Sequence, residues 1–202
     1  MQAAIKQVDV PHNYLRMRRV AEVSAIVIAL PVVLTVSLIA AVLVAAESKG
    51  GVLYAQLRPG KNGRLFRMYK IRTMYSNTGE DKLAVDNDRR ITRVGRQLRK
   101  YRIDEIPQLW NVLKGDMSLI GPRPVPHNFY RVYLEKLPGY ENRHIIRPGI
   151  TGLAQVRQGY TNTLEEEWVK MRYDLFYISR ISLRMDLSIV WGTLLNIARG
   201  RK

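Results

Sequence analysis

Cysteine is absent from the 202 residues, so disulfides and cysteine-ligated metal centres are excluded, and the absence suits a domain that faces a reducing compartment. Histidine is nearly as scarce. His12, His127 and His144 stand apart, without the spacing a metal site requires. The chain has no Walker loop, no glycine-rich dinucleotide fingerprint and no HExxH zinc motif, which removes the familiar nucleotide-fold and metalloprotease signatures. It also lacks internal repeats and low-complexity tracts. Acidic residues are few: 17 Asp and Glu against 33 Lys and Arg leave a net charge of +16. Of that charge, +2 falls in residues 1–49 and +14 in residues 50–202. The basic excess belongs to the larger part and calls for anionic partners: phosphorylated substrates, anionic lipid or nucleic acid. A solvated basic surface is the plain alternative.

Charge disappears altogether over the 24 residues from Val23 to Ala46. As a helix this run is about 36 Å long, enough for a hydrocarbon core of about 30 Å. A cleaved signal peptide fits less well, because its apolar core is about 7–15 residues, although Val44-Ala45-Ala46 loosely resembles a cleavage site. Arg16, Arg18 and Arg19 precede the run, and Lys49, Arg58, Lys61 and Arg64 follow it. The positive-inside rule asks both flanks to remain cytoplasmic. Pro31 removes a backbone hydrogen bond near the middle, where Ser24, Thr35 and Ser37 are placed to satisfy freed groups. A broken hairpin that enters and leaves on one face and a kinked spanning helix both accommodate these residues. Either way the chain divides into a membrane segment over residues 1–49 and a domain over residues 50–202.

In the domain, Gly50-Gly51 ends the membrane helix, and Val52 to Ala55 reads as a strand before the Arg58-Pro59-Gly60 turn. Leu65 to Ile71 alternates as its hairpin partner, and the polar residues 76–90 read as a loop. Arg93 to Tyr101 is helical, with Val94 and Leu98 four apart. A second short helix, Leu109 to Lys114, is closed by Gly115. Glu165 to Tyr177 and Leu183 to Ile197 are amphipathic helices, and Trp168 and Trp191 suit a membrane interface or, more plainly, a core. The fold class is α+β: a small, mostly helical domain with one β-hairpin.

Asp104-Glu105-Ile106-Pro107 stands just before the Leu109 helix. Carboxylates in that position are often helix caps. Here Arg89, Arg90, Arg93, Arg96, Arg99, Lys100 and Arg102 crowd the preceding stretch, so the acids lie among phosphate-seeking cations. Mg²⁺ is the hard cation that bridges carboxylate and phosphate oxygens in such settings. An aspartate can also attack phosphorus to form an acyl phosphate. Arg123 and Arg147, each beside proline, are preorganised to grip phosphate, or are turn residues at the surface.

Four runs, in order, resemble one family. They are Tyr69-Lys70-Ile71-Arg72-Thr73-Met74, Arg90 to Gly95, the long stretch Asp104 to Pro124, and Arg147 to Val156. Together they closely resemble the bacterial sugar transferases, the monotopic phosphoglycosyl transferases, over about residue 16 to the C-terminus. The resemblance implies a re-entrant helix-break-helix in the inner membrane, with the catalytic domain in the cytoplasm. It implies Asp104 as the nucleophile that takes a sugar phosphate from a nucleotide sugar and releases a nucleoside monophosphate, and Glu105, with Asp104, as the Mg²⁺ site. Polyprenyl phosphate then attacks the intermediate. Lys70, Arg72, Arg99, Arg123, Arg147 and Asp174 match positions that line the site. The implied partners are a nucleotide sugar, polyprenyl phosphate and inner-membrane lipid, with no nucleic acid; a homo-oligomer is compatible. Length suits the small form of the family. Glu22 stands where the family often has Asp, Leu30-Pro31 where it has Ser-Pro, and Arg157-Gln158-Gly159 where it has Asn-Gly-Arg. A membrane-bound adaptor for anionic lipid or nucleic acid needs the charge but not Asp104 and Glu105. A glycosyl transferase that leaves the phosphate behind releases a diphosphate instead.

Overall fold

The computed structural model describes residues 10–75, 88–158 and 163–200; of the loop expected over 76–90, residues 76–87 lie outside the described residues. The apolar run lies in one helix, α1, His12–Glu47, the sole described helix long and apolar enough to cross a membrane. The expected break at Leu30-Pro31 is not seen, and the helix continues through Pro31. A proline deletes one hydrogen bond, and one missing bond does not end a helix of this length. On the following turns the Thr35 hydroxyl donates to the Pro31 carbonyl at 3.0 Å and that of Ser37 to the Val33 carbonyl at 2.7 Å. This back-bonding bends helices without interrupting them.

Both ends of α1 are fastened to the domain. Near the start, Ile26 packs with Phe66, Met68, Val112 and Met117. Glu22 accepts from the Ser118 hydroxyl at 2.6 Å and the Leu119 N–H at 3.1 Å, while Arg18 pairs with Asp186 at 3.0 Å. Near the end, Ala40 and Val44 pack with Ile71 and Leu98, and the Glu47 carboxylate accepts from the N–H groups of Arg93 and Val94 at 2.7 and 3.0 Å. Between these clamps Val27, Ile28, Val32, Leu34, Leu38 and Ile39 are exposed.

The hairpin forms, but its first strand runs on past the expected Ala55, so Arg58 and Pro59 are paired strand and not turn. Strands β1, Leu53–Pro59, and β2, Leu65–Ile71, pair antiparallel from Leu53 opposite Ile71 to Pro59 opposite Leu65. The turn between them is tight enough to place Asn62 and Gly63 at φ 55 and 74. Helix α2, Arg93–Lys100, is capped by Thr92, whose hydroxyl accepts from the Gly95 N–H at 2.8 Å. Helix α3, Gln108–Lys114, ends on Gly115 at φ 89, the left-handed stop that only glycine adopts readily. Asn111 makes α3 an edge partner of β2, accepting from the Tyr69 N–H at 3.1 Å and donating to the Arg67 carbonyl at 2.7 Å.

A two-stranded parallel pair escapes the sequence pattern: β3, Ser118–Ile120, lies beside β4, Gly149–Thr151. Helices α4, His127–Lys136, and α5, Leu153–Arg157, complete the domain with α6, Leu164–Ser179, and α7, Leu183–Ala198. A capping box, Thr163 with Glu166, starts α6. Tyr177, Ile178 and Ile189 from the last two helices form a core with Ile120, Ile146 and Leu153. The outer side of these helices keeps Trp168, Phe176, Leu183, Leu187, Trp191 and Leu194 exposed, so the two tryptophans are surface residues, whereas Tyr140 and Tyr177 are core.

Helix α2 meets the end of the hairpin at Gly95, where a Cβ would stand 2.2 Å from the Thr73 carbonyl oxygen. In an open helix Gly→Ala stabilises by up to about 1 kcal/mol. Here Gly95→Ala is expected to destabilise by about 1–3 kcal/mol, the usual cost of overpacking. Thermal unfolding in detergent checks the sign: a higher Tm in the variant overturns the close approach.

Candidate active site

Asp104 and Glu105 sit in a short 3-10 turn, Ile103–Glu105, between α2 and α3. Arg102 enters the turn at φ 56, a left-handed conformation that costs a side-chain-bearing residue about 1 kcal/mol or more. The Glu105 N–H then bonds the Arg102 carbonyl at 3.1 Å. Neither carboxylate caps α3, whose first turn has no side-chain cap, so the helix-cap role does not apply. Both residues are 7% exposed, and such burial of charge is tolerated only with compensation.

Glu105 is fully compensated. Lys70, from β2, lies 3.0 Å from Oε1. Arg123 holds the same oxygen through Nη2 and reaches Oε2 through Nη1 at 3.3 Å, while Nη1 also donates to the Ile150 carbonyl at 3.1 Å. Arg102 is 3.9 Å from Oε2. Burial alone would raise the Glu105 pKa, yet Arg123 and Lys70 hold it far below the usual carboxylate range. The cations are correspondingly strained: burial lowers the pKa of Lys70, with Glu105 opposing and Arg123 adding to the fall.

Asp104 is different. No described residue donates a hydrogen bond to its carboxylate. Burial raises its pKa, Lys70, Arg99 and Arg123 act in the opposite direction, and Glu105 adds to the rise. Two adjacent acids thus have separate conditions: one is an ion-paired anchor, the other an oxygen pair directed at cations that does not bond them.

Of the other expected site residues, Lys70, Arg99 and Arg123 gather here. Arg99 is steered by Thr73, whose hydroxyl accepts from its Nε at 2.7 Å. Arg72 instead ties down the end of α1, donating to the Ser48 and Lys49 carbonyls at 2.7 and 3.0 Å. Arg147 is exposed and donates through Nε to the Gly115 carbonyl at 2.8 Å. Asp174 is buried in a second network: it pairs with Arg143 at 2.7 Å, and Arg143 also pairs with Glu167 at 3.0 Å, which takes Lys170 at 3.0 Å. It is linked to the site through Arg143 Nη2, which donates to the Arg123 carbonyl at 3.1 Å. Asp174 therefore stands behind Arg123.

Two residues of the site were not singled out from sequence. Arg58, in β1, bonds the Pro124 carbonyl and Gln56 Oε1, the latter at 2.8 Å. Burial lowers its pKa and the facing Arg123 adds to the fall, while Glu105 counters both. Gln108, four residues after Asp104, is fully buried with neither amide atom bonded by a described residue. Arg58 precedes Pro59, the same Arg-Pro signal that marks Arg123 and Arg147.

As a metal site the donor set is sparse. Among the described residues no group of three His, Cys, Asp or Glu converges, which does not fit a metal that needs three protein ligands. Mg²⁺ takes one or two carboxylates and completes its shell with phosphate oxygens and water. Asp104, whose oxygens no described residue hydrogen-bonds, fits as one such carboxylate, whereas both oxygens of the neighbouring Glu105 are already engaged by Lys70, Arg123 and Arg102.

A family profile described as bacterial sugar transferase matches residues 13–200. The chain is 45% identical over 189 residues to a UDP-N-acetylgalactosamine-undecaprenyl-phosphate N-acetylgalactosaminephosphotransferase of Aeromonas hydrophila, covering 93% of this chain and 45% of that protein. It is 39% identical over 194 residues to a UDP-glucose:undecaprenyl-phosphate glucose-1-phosphate transferase of Klebsiella pneumoniae, covering 92% of this chain and 41% of that protein. The chain thus spans under half the length of these two relatives. It is also 38% identical to the exopolysaccharide production protein PSS of Rhizobium leguminosarum bv. phaseoli, over 90% of this chain and 93% of that one.

The contrast between the two acids has a measurable consequence. Glu105→Gln takes from Lys70 and Arg123 the carboxylate that bonds them and is expected to cost about 3–5 kcal/mol, lowering Tm by about 10 °C. Asp104→Asn removes a charge that folding disfavours and should leave Tm unchanged or raise it. Because the folded pKa of Asp104 is raised, its charged form opposes folding at neutral pH. That penalty fades as pH falls through the folded pKa, so any gain from Asp104→Asn shrinks in acid. Equal losses in the two variants at pH 7.5 would contradict the assignment.

Proposed function

The chain belongs to the bacterial sugar transferases, and from that membership and the state of Asp104 we propose that it transfers a sugar 1-phosphate from a UDP-sugar to undecaprenyl phosphate. The observation that carries the reading is a buried carboxylate that no described residue hydrogen-bonds, among cations positioned for phosphate. Hydrogen bonds to an anion blunt it as a nucleophile, and Asp104 has none to lose.

In the first step an Asp104 carboxylate oxygen attacks the phosphorus that bears the sugar. The bridging P–O bond of the diphosphate breaks, its electron pair leaves with the nucleoside monophosphate, and an aspartyl phosphosugar remains. Lys70, Arg99 and Arg123 neutralise the charge that builds on the phosphoryl oxygens. Glu105 keeps Lys70 and Arg123 in place, so their charges are oriented before substrate arrives. Asp104, with Glu105 beside it, would hold Mg²⁺, which would supply further charge neutralisation at the diphosphate. In the second step an oxygen of undecaprenyl phosphate attacks the same phosphorus and frees the Asp104 carboxylate, giving a lipid diphosphate sugar.

The membrane arrangement follows the same reading. We take α1 as re-entrant, with both ends on the cytoplasmic face of the inner membrane and the catalytic domain beside them. A helix spanning the bilayer would separate its ends by the membrane thickness, whereas Glu22 and Glu47 both bond the one domain. The basic flanks on either side agree. The exposed face of α6 and α7, with Trp168 and Trp191, suits contact with the lipid interface.

Enzyme mixed with the right UDP-sugar and no acceptor should release a burst of monophosphate of about one per site and gain the mass of a sugar phosphate; Asp104→Asn should lose both while staying folded. A trapped adduct on another residue, or near-normal turnover of Asp104→Asn, would overturn the assignment. For topology, single cysteines at Asn13 and Lys61 should both be shielded from an impermeant thiol reagent in intact cells. Labelling of the Asn13 probe from outside would exclude the re-entrant arrangement.

A further inference from the structure

The outer side of α6 carries a ladder. Trp168, Arg172, Phe176 and, at the C-cap, Arg180 follow one another at intervals of four, the spacing that sets side chains above one another on a helix. Each arginine lies over the ring before it: the guanidinium carbon of Arg172 is 4.9 Å from the centre of Trp168, and that of Arg180 is 4.9 Å from the centre of Phe176. All four residues are exposed. Among the described residues neither guanidinium forms an ion pair or a hydrogen bond, so the N–H edges of both remain for an anion. An exposed stack of this kind adds little to stability and does not account for two large rings kept at the surface.

Helix α7 extends the same surface. Leu183, Leu187, Val190, Trp191 and Leu194 recur on its exposed side at helical spacing. Charge on the two helices has one sign. From Trp168 to Gly200 the exposed charged residues are Arg172, Arg180, Arg184 and Arg199, whereas both acids, Asp174 and Asp186, are buried. A face built for water carries both signs interspersed; this one joins an apolar stripe to arginines alone. Its position relative to α1 is also fixed. Asp186, in the first turn of α7, accepts from Tyr14 at 2.7 Å and from Arg18 at 3.0 Å, and Arg18 stands about 8 Å of helix before the apolar run begins at Val23. The start of α7 is thus held beside the entry of α1 into the bilayer, at the level of lipid headgroups.

We propose that the outer face of α6 and α7 docks on anionic phospholipid, with Arg172 and Arg180 on headgroup phosphates and the rings of the ladder, with the apolar stripe of α7, at the boundary of the acyl chains. The proposal rests on the reading of α1 as a membrane helix and is independent of the transfer chemistry. Zwitterionic lipid offers the same apolar layer; the arginines add a response to net negative charge. Arginine suits the task better than lysine, because a flat, weakly hydrated guanidinium keeps its stack on a ring while its edge donates to phosphate.

The experiment uses the full chain carrying Trp110→Phe, so that Trp168 and Trp191 are its only tryptophans. It is placed in nanodiscs of phosphatidylcholine alone or mixed equally with phosphatidylglycerol, with acyl chains brominated to quench nearby tryptophan. Quenching should be stronger with phosphatidylglycerol and should fall to the phosphatidylcholine level in about 1 M NaCl, where the Debye length is about 3 Å. Arg172→Gln combined with Arg180→Gln should shift the docked–undocked balance about 30-fold in the charged discs, with quenching in phosphatidylcholine unchanged and the chain still held by α1. Arg131→Gln combined with Lys136→Gln removes as much charge from exposed positions on α4 and should have no effect. Equal quenching of the parent chain in the two kinds of disc overturns the proposal. An equal loss in the α4 variant does so too, since it assigns the effect to net charge. Efficient disulfide cross-linking of Leu187→Cys chains in native membranes, in a sequence with no other cysteine, assigns the face to a second copy and likewise overturns it. Release of the parent chain from lipid in detergent-free buffer removes the membrane reading of α1, and this proposal with it.

Discussion

The ion cluster centred on Glu105 is the constraint on which the site depends. A single buried carboxylate engages Lys70 from the hairpin and Arg123 from the loop after β3, and so joins segments that meet nowhere else in sequence. Without it, two cations would face each other in a poorly solvated space with only the unbonded Asp104 carboxylate to oppose their repulsion. With it, they are fixed before any phosphate arrives. The arrangement also explains why adjacent acids behave differently. Glu105 absorbs the nearest positive charge, and Asp104, one residue away, is left buried and unbonded.

A second constraint concerns α1, whose two clamps are of different kinds. The first is a buried polar network through Arg18, Glu22, Ser118 and Asp186. The second is a carboxylate on the start of α2, where the unsatisfied N–H groups and the helix dipole both favour negative charge. Since α2 carries Arg99, the end of the membrane helix and one of the site cations are joined by a single short helix. The long apolar helix is therefore tied directly to the framework of the candidate site.

The elements legible in the sequence were those with strong periodicity or punctuation. β2 shows clean alternation, α3 ends on Gly115, and α6 and α7 follow helical spacing; all lie within a residue or two of expectation. The parallel pair β3–β4 was not legible, because strands of three residues carry no period and their pairing is set by glycine contacts distant in sequence. Pro31 left a broken hairpin and a kinked helix both open, since one lost hydrogen bond is a weaker signal than the long apolar run around it, and the helix continues through it. At the site, the Asp104-Glu105 pair and the phosphate-seeking Lys70, Arg99 and Arg123 were visible as motif residues. The division of labour between the two acids was not, since it follows from which cations fold against which oxygen. Arg72 and Asp174, placed at the site by motif, act one step away from it, on the end of α1 and behind Arg123.

The closed set formed by Arg143, Glu167, Lys170 and Asp174 bears on how this domain can change over generations. Two positive and two negative groups are sealed together, and altering any one leaves an uncompensated charge costing about 3–5 kcal/mol, a large share of a domain's total stability. Exchanging several members at once for well-packed apolar side chains carries no such penalty. Inheritance at these four positions should therefore be collective: they are kept together or replaced together, while the exposed apolar residues of α1, constrained only to be apolar, drift one at a time.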